Sequence, residues 1–173
     1  MFNLILAIAT SIAVLVADQL SKAYVAANCL ATDSHIFIPG ILEFALVHNG
    51  GGAWGMLSGH TWLLLAVTSV IMVVCVFMLV KLGKDNKLIQ WAVCLVLGGG
   101  IGNMIDRIFR GGYVIDFFRF SFWRDFPVFN IADISIVVGA GLLMLYFVLS
   151  SFEDIKSKKD TALVTVENDA KNQ

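Results

Sequence analysis

The chain has 173 residues, 58% of them apolar and 14% charged, with 15 Gly and only two Pro. With Gly counted in and Tyr set aside, about 65% is apolar against a usual ~45–50%, and charge is near half the usual ~25%. That composition excludes a soluble globular enzyme and a disordered chain, and a net charge of −1 gives no electrostatic basis for nucleic-acid binding.

A membrane helix needs about 20 mostly apolar residues. The first charge-free run, Met1 to Ala17, predicts a span that continues past Asp18 and Lys22 to near Ala27; those two charges are four apart, on one helix face, and form an expected ion pair. Ala26-Ala27-Asn28 before Cys29 resembles a signal cleavage site, but two charges just ahead of it argue against a removed signal. Residues 36 to 47 read as a small β element, with IFI, a turn at Pro39-Gly40, then ILEFALV, and a Gly-rich turn follows at Gly50-Gly51-Gly52. Trp62 to Val80, Leu88 to Ile105 and Ile134 to Phe152 predict spans two, three and four.

Between the last two spans, residues 107 to 130 hold seven of the thirteen Phe, with Tyr113 and Trp123, as suits a segment lying at the membrane–water boundary. Gly111-Gly112 marks a turn and Tyr113 to Phe120 is β-prone, which predicts a short hairpin or strand. The fold class is therefore an all-α membrane protein: four transmembrane helices, a small β element and an aromatic-rich interfacial hairpin on the extracytoplasmic side. Residues 1–152 form the single four-span unit. Residues 153–173 carry four of the twelve Lys and Arg and five of the thirteen acids, with no aromatic residue. They are expected to be a solvated, disordered cytoplasmic tail that tolerates truncation after about Ser157.

Orientation follows from cations near the span ends. Lys81, Lys84 and Lys87 lie between spans two and three, Lys156, Lys158 and Lys159 follow span four, and residues 28–60 have neither Lys nor Arg. Both termini are expected in the cytoplasm. Arg107, Arg110, Arg119 and Arg124 disagree, since this topology puts them outside; they alternate with Asp106, Asp116 and Asp125, and pairing or headgroup contact accounts for them.

Ionisable groups in spans cost about 2.5–3.5 kcal/mol each on insertion scales, so each needs a reason. Asp18, Asp106, Asp116 and Asp133 all fall at outer span ends or in the outer hairpin, hence in one layer. Asn130 and Asp133 are spaced as a capping box, which explains Asp133 without function. Asp116 sits in the apolar run YVIDFFRF, where pairing with Arg119 or Arg107 is the structural alternative. In GGGIGNMIDR, Gly98 and Gly102 form a small-xxx-small face for close helix packing, and Asn103, Asp106 and Arg107 share one face as a polar clamp. Two carboxylates meeting in a partly wet apolar site share one proton and suit amide hydrolysis through water. His35, His48 and His60 lack metal-ligand spacing, no Ser lies in a nucleophile elbow, and Cys29, Cys75 and Cys94 read as small apolar side chains. No metal or other cofactor is expected.

Together these segments resemble the lipoprotein signal peptidases, the type II signal peptidases of bacterial membranes. The resemblance runs from about Asp18 to Phe147 through DQLSK, PGILEF leading to HNGGGAWG, GGGIGNMIDR, VIDF and FNIADI, in that order. It implies an aspartyl endopeptidase of the bacterial cytoplasmic membrane that cleaves prolipoproteins just before a diacylglyceryl-modified cysteine, near the extracytoplasmic face. Its catalytic dyad corresponds to Asp116 and Asp133. Asn49, Asn103, Arg107 and Asn130 match positions that line the site and hold substrate or dyad, while Asp18, Lys22 and Asp106 match motif positions read here as structural. Prolipoprotein and membrane lipids are the expected partners, with no obligate protein partner evident. The chain departs from the family pattern at Gly52, Trp54 and Gly100, where Ala, Phe and Ala are expected, and in one extra residue between Arg107 and Asp116. A proton-coupled carrier using the same two Asp, or a non-catalytic assembly subunit, are the competing classes.

Overall fold

The computed structural model describes residues 2–29, 34–84 and 86–171; Met1, at the head of the first predicted span, and residues 172–173 of the predicted tail lie outside them. In chain order the elements are α1 (Phe2–Asn28), β1 (Ser34–Ile38), β2 (Leu42–Asn49), a single 3-10 turn (Ala53–Gly55), α2 (Thr61–Lys81), α3 (Lys87–Phe109), β3 (Val114–Phe120) and α4 (Ile131–Lys171). All four α-helices are long and apolar enough to cross a membrane, α4 through its Ile131–Glu153 portion. α3 is the central one: 61% of its apolar window is buried, against 6% to 17% for the others, whose apolar side chains face outward as lipid requires.

Glycine makes that central position possible. A Cβ on Gly98 would meet Ser11 of α1 at 2.6 Å (Oγ) and 2.9 Å (carbonyl), one on Gly99 would run into the Ala132 carbonyl of α4, and one on Gly102 would meet the Asp18 carboxylate at 2.7 Å. The predicted Gly98–Gly102 face therefore seats α1, while Gly99 opens a second face to α4. Gly100 faces α2 with Met72 Sδ at 3.5 Å, so the alanine expected there fits too. The two inner faces of α2 and α3 close around Cys75, Ile89, Val93 and Val96, where Cys75 is a buried free thiol in an apolar cluster.

The β element predicted from residues 36 to 47 is an antiparallel β1–β2 pair, and β3 extends it into a three-stranded antiparallel sheet ordered β1-β2-β3. β3 pairs with β2 along its length, whereas the hairpin expected within residues 107–130 reduces to one bridge, Phe118 with Phe129. The glycine pair before β3 makes the expected turn: Gly111 and Gly112 both take left-handed φ (+70° and +96°), and Thr61 Oγ1 donates to the Gly112 carbonyl at 3.1 Å. α4 continues as helix to Lys171, beyond the break predicted at residue 152. Residues 153–171 contain no Gly or Pro to stop it, and their Lys, Glu and Ala are sound helix formers.

Candidate active site

Strand periodicity aims Asp116. Ile115 and Phe117 point to one face and pack with Val25 of α1 and Leu46 of β2, so Val114, Asp116 and Phe120 point to the other, where they line a cavity of about 430 Å³. β2 carries a bulge here: Phe44 opposes Phe118 and Val47 opposes Asp116, leaving Ala45 and Leu46 against Phe117 alone. A bulge beside a functional strand re-aims side chains. Asn49, opposite Val114, becomes the diagonal neighbour of Asp116 and donates from Nδ2 to its Oδ2 at 2.8 Å. Asn49 is itself held by the glycine turn, its Oδ1 accepting the Gly51 N–H at 3.0 Å.

The second carboxylate comes from the first turn of α4. Asp133 Oδ2 accepts the Asn130 backbone N–H at 3.1 Å and Asn130 Oδ1 accepts the Asp133 N–H at 2.9 Å, a complete capping box. Capping leaves the Asn130 Nδ2 for a second contact, and it donates to Asp116 Oδ1 at 2.6 Å. Asn130 also donates to Asn103 Oδ1 at 3.1 Å, and Asn103 Nδ2 donates to Asp133 Oδ1 at 2.8 Å. Three asparagines thus satisfy both carboxylates with neutral donors. Arg119, proposed above as a partner of Asp116, instead reaches Glu43 at 2.8 Å, its opposite in the β2–β3 ladder. Arg107 lines the cavity with both Asp, its Nη1 3.4 Å from the Asn103 carbonyl and its buried Nε without a hydrogen-bond partner.

The site is electrostatically tense. Asp116 is 2% exposed, and burial first, then the nearby Asp133 charge, push its pKa from the ordinary 3.8 up to about 7; hydrogen bonds from Asn49 and Asn130 and the charge of Lys22 pull it the other way. Apart from Asn49, Asn103, Arg107 and the two Asp, the cavity wall is apolar, built from Gly52, Trp54, Phe126 and the Ile134, Val137 and Val138 face of α4. Those three α4 side chains are exposed, so the cavity opens on the flank of the bundle where lipid would lie. Trp54, a departure from the expected pattern, has φ +53° and meets Phe126 edge-on at 6.2 Å. Among the described residues, no three His, Cys, Asp or Glu side chains converge as metal ligands.

The other predicted polar residues form a second layer behind the cavity. Lys22 pairs with Asp18 at 2.8 Å, as the four-residue spacing predicts, and also with Asp106 at 3.2 Å; all three are fully buried. Asn103 and Asp106, two of the three residues expected to share one face of α3, both meet Lys22 and so clamp α3 to α1. Gln19 was not singled out from the sequence, yet its Nε2 donates to Asp18, the Gly102 carbonyl and Asp106 at 3.1–3.2 Å. Arg110 likewise reaches Asp106 at 3.2 Å, a contact that its i, i+4 spacing offered.

Four membrane-type helices, a three-stranded sheet and paired carboxylates beside a lipid-flank cavity define a multi-pass membrane protein furnished for hydrolysis. Residues 10–149 match the family model Signal peptidase (SPase) II, and the chain belongs to that peptidase family. Similar proteins include the lipoprotein signal peptidases of Symbiobacterium thermophilum (42% identity, covering 83% of this chain and 95% of the relative) and Bacillus pumilus (40%, 83% and 91%). A bacterial membrane enzyme solved by the in meso method at 2.3 Å superposes with a TM-score of 0.79 at 34% identity, over 84% of this chain and 88% of the other.

Proposed function

We propose that the chain is an aspartyl endopeptidase that removes signal peptides from prolipoproteins, cutting before a diacylglyceryl-modified cysteine, with Asp116 and Asp133 as its dyad. The observation that carries this reading is the convergence of two carboxylates, from a strand and a helix far apart in sequence, on one apolar cavity, each held by asparagine donors. The pair shares one proton near neutral pH and titrates as a unit. The ionised carboxylate takes a proton from water as the water oxygen bonds to the scissile carbonyl carbon. The protonated carboxylic acid donates to the carbonyl oxygen. When the tetrahedral intermediate collapses, the carbon–nitrogen bond breaks, the leaving nitrogen takes the proton that came from water, and the proton lent to the carbonyl oxygen returns to the carboxylate that gave it, leaving a new carboxyl, a free amine and the dyad restored. Arg107, with an unspent Nε beside the dyad, is suited to hold a substrate carbonyl.

A cavity that is polar at its floor and apolar along α4 suits a substrate that is part peptide and part lipid and arrives sideways through the bilayer. Both termini lie in the cytoplasm in this reading, and the sheet and dyad lie at the extracytoplasmic face of a bacterial cytoplasmic membrane. The test is cleavage of a diacylglyceryl-cysteine precursor by purified protein. Asp116→Asn and Asp133→Asn should each abolish cleavage while the protein still melts cooperatively in detergent. Cleavage retained by either variant rejects the dyad.

A further inference from the structure

Lys22 is fully buried, and its ammonium has three protons and three acceptors: Asp18 Oδ2 at 2.8 Å, Asp106 Oδ2 at 3.2 Å and Asn103 Oδ1 at 2.9 Å. Each acceptor reaches on toward the dyad. Asp18 Oδ1 accepts the backbone N–H of Ala132 at 2.9 Å, the residue just before Asp133. Asp106 Oδ2 accepts the N–H of Ile115 at 3.1 Å, the residue just before Asp116. Asn103, having turned its oxygen to Lys22, must turn its amide nitrogen to Asp133 Oδ1. One cation on α1 therefore ties down the backbone behind both reactive carboxylates and orients the amide that holds one of them.

We propose that Lys22 is the positioning residue of the dyad, setting the separation and orientation of the Asp116 and Asp133 carboxylates through Asp18, Asp106 and Asn103. Holding α1 against α3 would need one acid on the lysine; here two acids share it, and each also accepts a backbone N–H beside a dyad residue. The charged groups around the ammonium are Asp18 on α1 and Asp106 and Arg110 on α3, with Asp116 and Asp133 beyond them. This assignment rests on the aspartyl-peptidase reading.

The test compares Lys22→Met with Asp18→Asn/Lys22→Met. The single variant strands two buried acids on one partner and is expected to fold poorly. The double variant removes one positive and one negative charge together, keeps an amide oxygen for the Ala132 N–H, and leaves Asp106 with Arg110 and Gln19. With a fluorogenic peptide bearing a diacylglyceryl-cysteine, kcat per folded molecule of the double variant should fall about 100-fold, the usual cost of a displacement near 1 Å, while KM stays within twofold. A role in the fold alone lowers the folded fraction and leaves kcat per folded molecule unchanged, which overturns the proposal; a double variant that does not fold also overturns it. Asp116→Asn measured alongside separates the two readings. If Asp116→Asn is inactive and the double variant keeps full kcat, only the positioning role fails. Activity in Asp116→Asn removes the dyad itself.

Discussion

At the scale of the residue, the proposed chemistry depends on keeping an acid where its charge is unwelcome. The Asp116 carboxyl ionises near pH 3.8 in the unfolded chain and near about 7 in the folded one. Between those values the folded state binds more protons than the unfolded state, so stability falls as pH rises through that window and levels off above about 7. At ~1.4 kcal/mol per pH unit the window spans about 4 kcal/mol as an upper bound, because the pair titrates together. Removing the charge should relieve the penalty. The thermal midpoint of Asp116→Asn minus that of the native protein is expected to be more positive at pH 8 than at pH 5; a difference that is flat or reversed refutes the raised pKa. The same ionisation would cost the proposed dyad its shared proton, so kcat/KM should decline on the alkaline side with a midpoint near 7. Asp116 was legible as an anomaly in an apolar run. Its partner Asn49 was named only through the family resemblance, because the bulge at Ala45-Leu46 that swings it onto the same face leaves no periodic mark in the sequence.

Among the elements, α3 decides the architecture, and its glycines carry different loads. A leucine at Gly102 would place its Cβ 2.7 Å from the Asp18 carboxylate and 3.4 Å from Ala132 Cβ, pressing on α1 and α4 at once. Overpacking of this kind costs about 1–3 kcal/mol, and here it also disturbs the layer behind the dyad. Gly102→Leu should lower both the melting temperature in detergent and the cleavage rate. Gly100→Ala, two residues away, should leave both intact or raise the melting temperature slightly, since Met72 leaves room for a methyl and alanine gains up to ~1 kcal/mol of helix propensity. Equal effects of the two substitutions reject the close-approach account. The spans themselves were readable to within a few residues, α1 included, whose continuation past the Asp18–Lys22 pair was expected. α3 runs beyond its charge-free stretch through Asp106 and Arg107 to Phe109, where Asp106 finds its buried partner on α1. Periodicity within one helix cannot reveal a partner on another. For the same reason β3 was foreseen only as a short hairpin or strand, without its long partner, β2, which lies more than sixty residues earlier.

For the whole molecule, the open question from sequence was four arginines on the side the other cations assign to the exterior. Arg110 reaches Asp106, one of the acids expected from alternation, and Arg119 and Arg124 both reach Glu43 of β2, at 2.8 and 3.3 Å. Arg107 stands at the cavity. Cations committed to the sheet and the site weigh less as topology signals than Lys81 and Lys84, which sit exposed at and just beyond the C-terminal end of α2. The proposed orientation then makes a two-sided prediction. Ser58 and Lys84 are exposed at opposite ends of α2, and of the native cysteines only Cys29 is not buried. In a Cys29→Ser background, a membrane-impermeant maleimide added to intact cells should label Ser58→Cys at once, and Lys84→Cys only after the membrane is permeabilised. The reverse pattern would put the dyad and the Phe-rich segment on the cytoplasmic side, where a precursor's cleavage site would have to be reached before export.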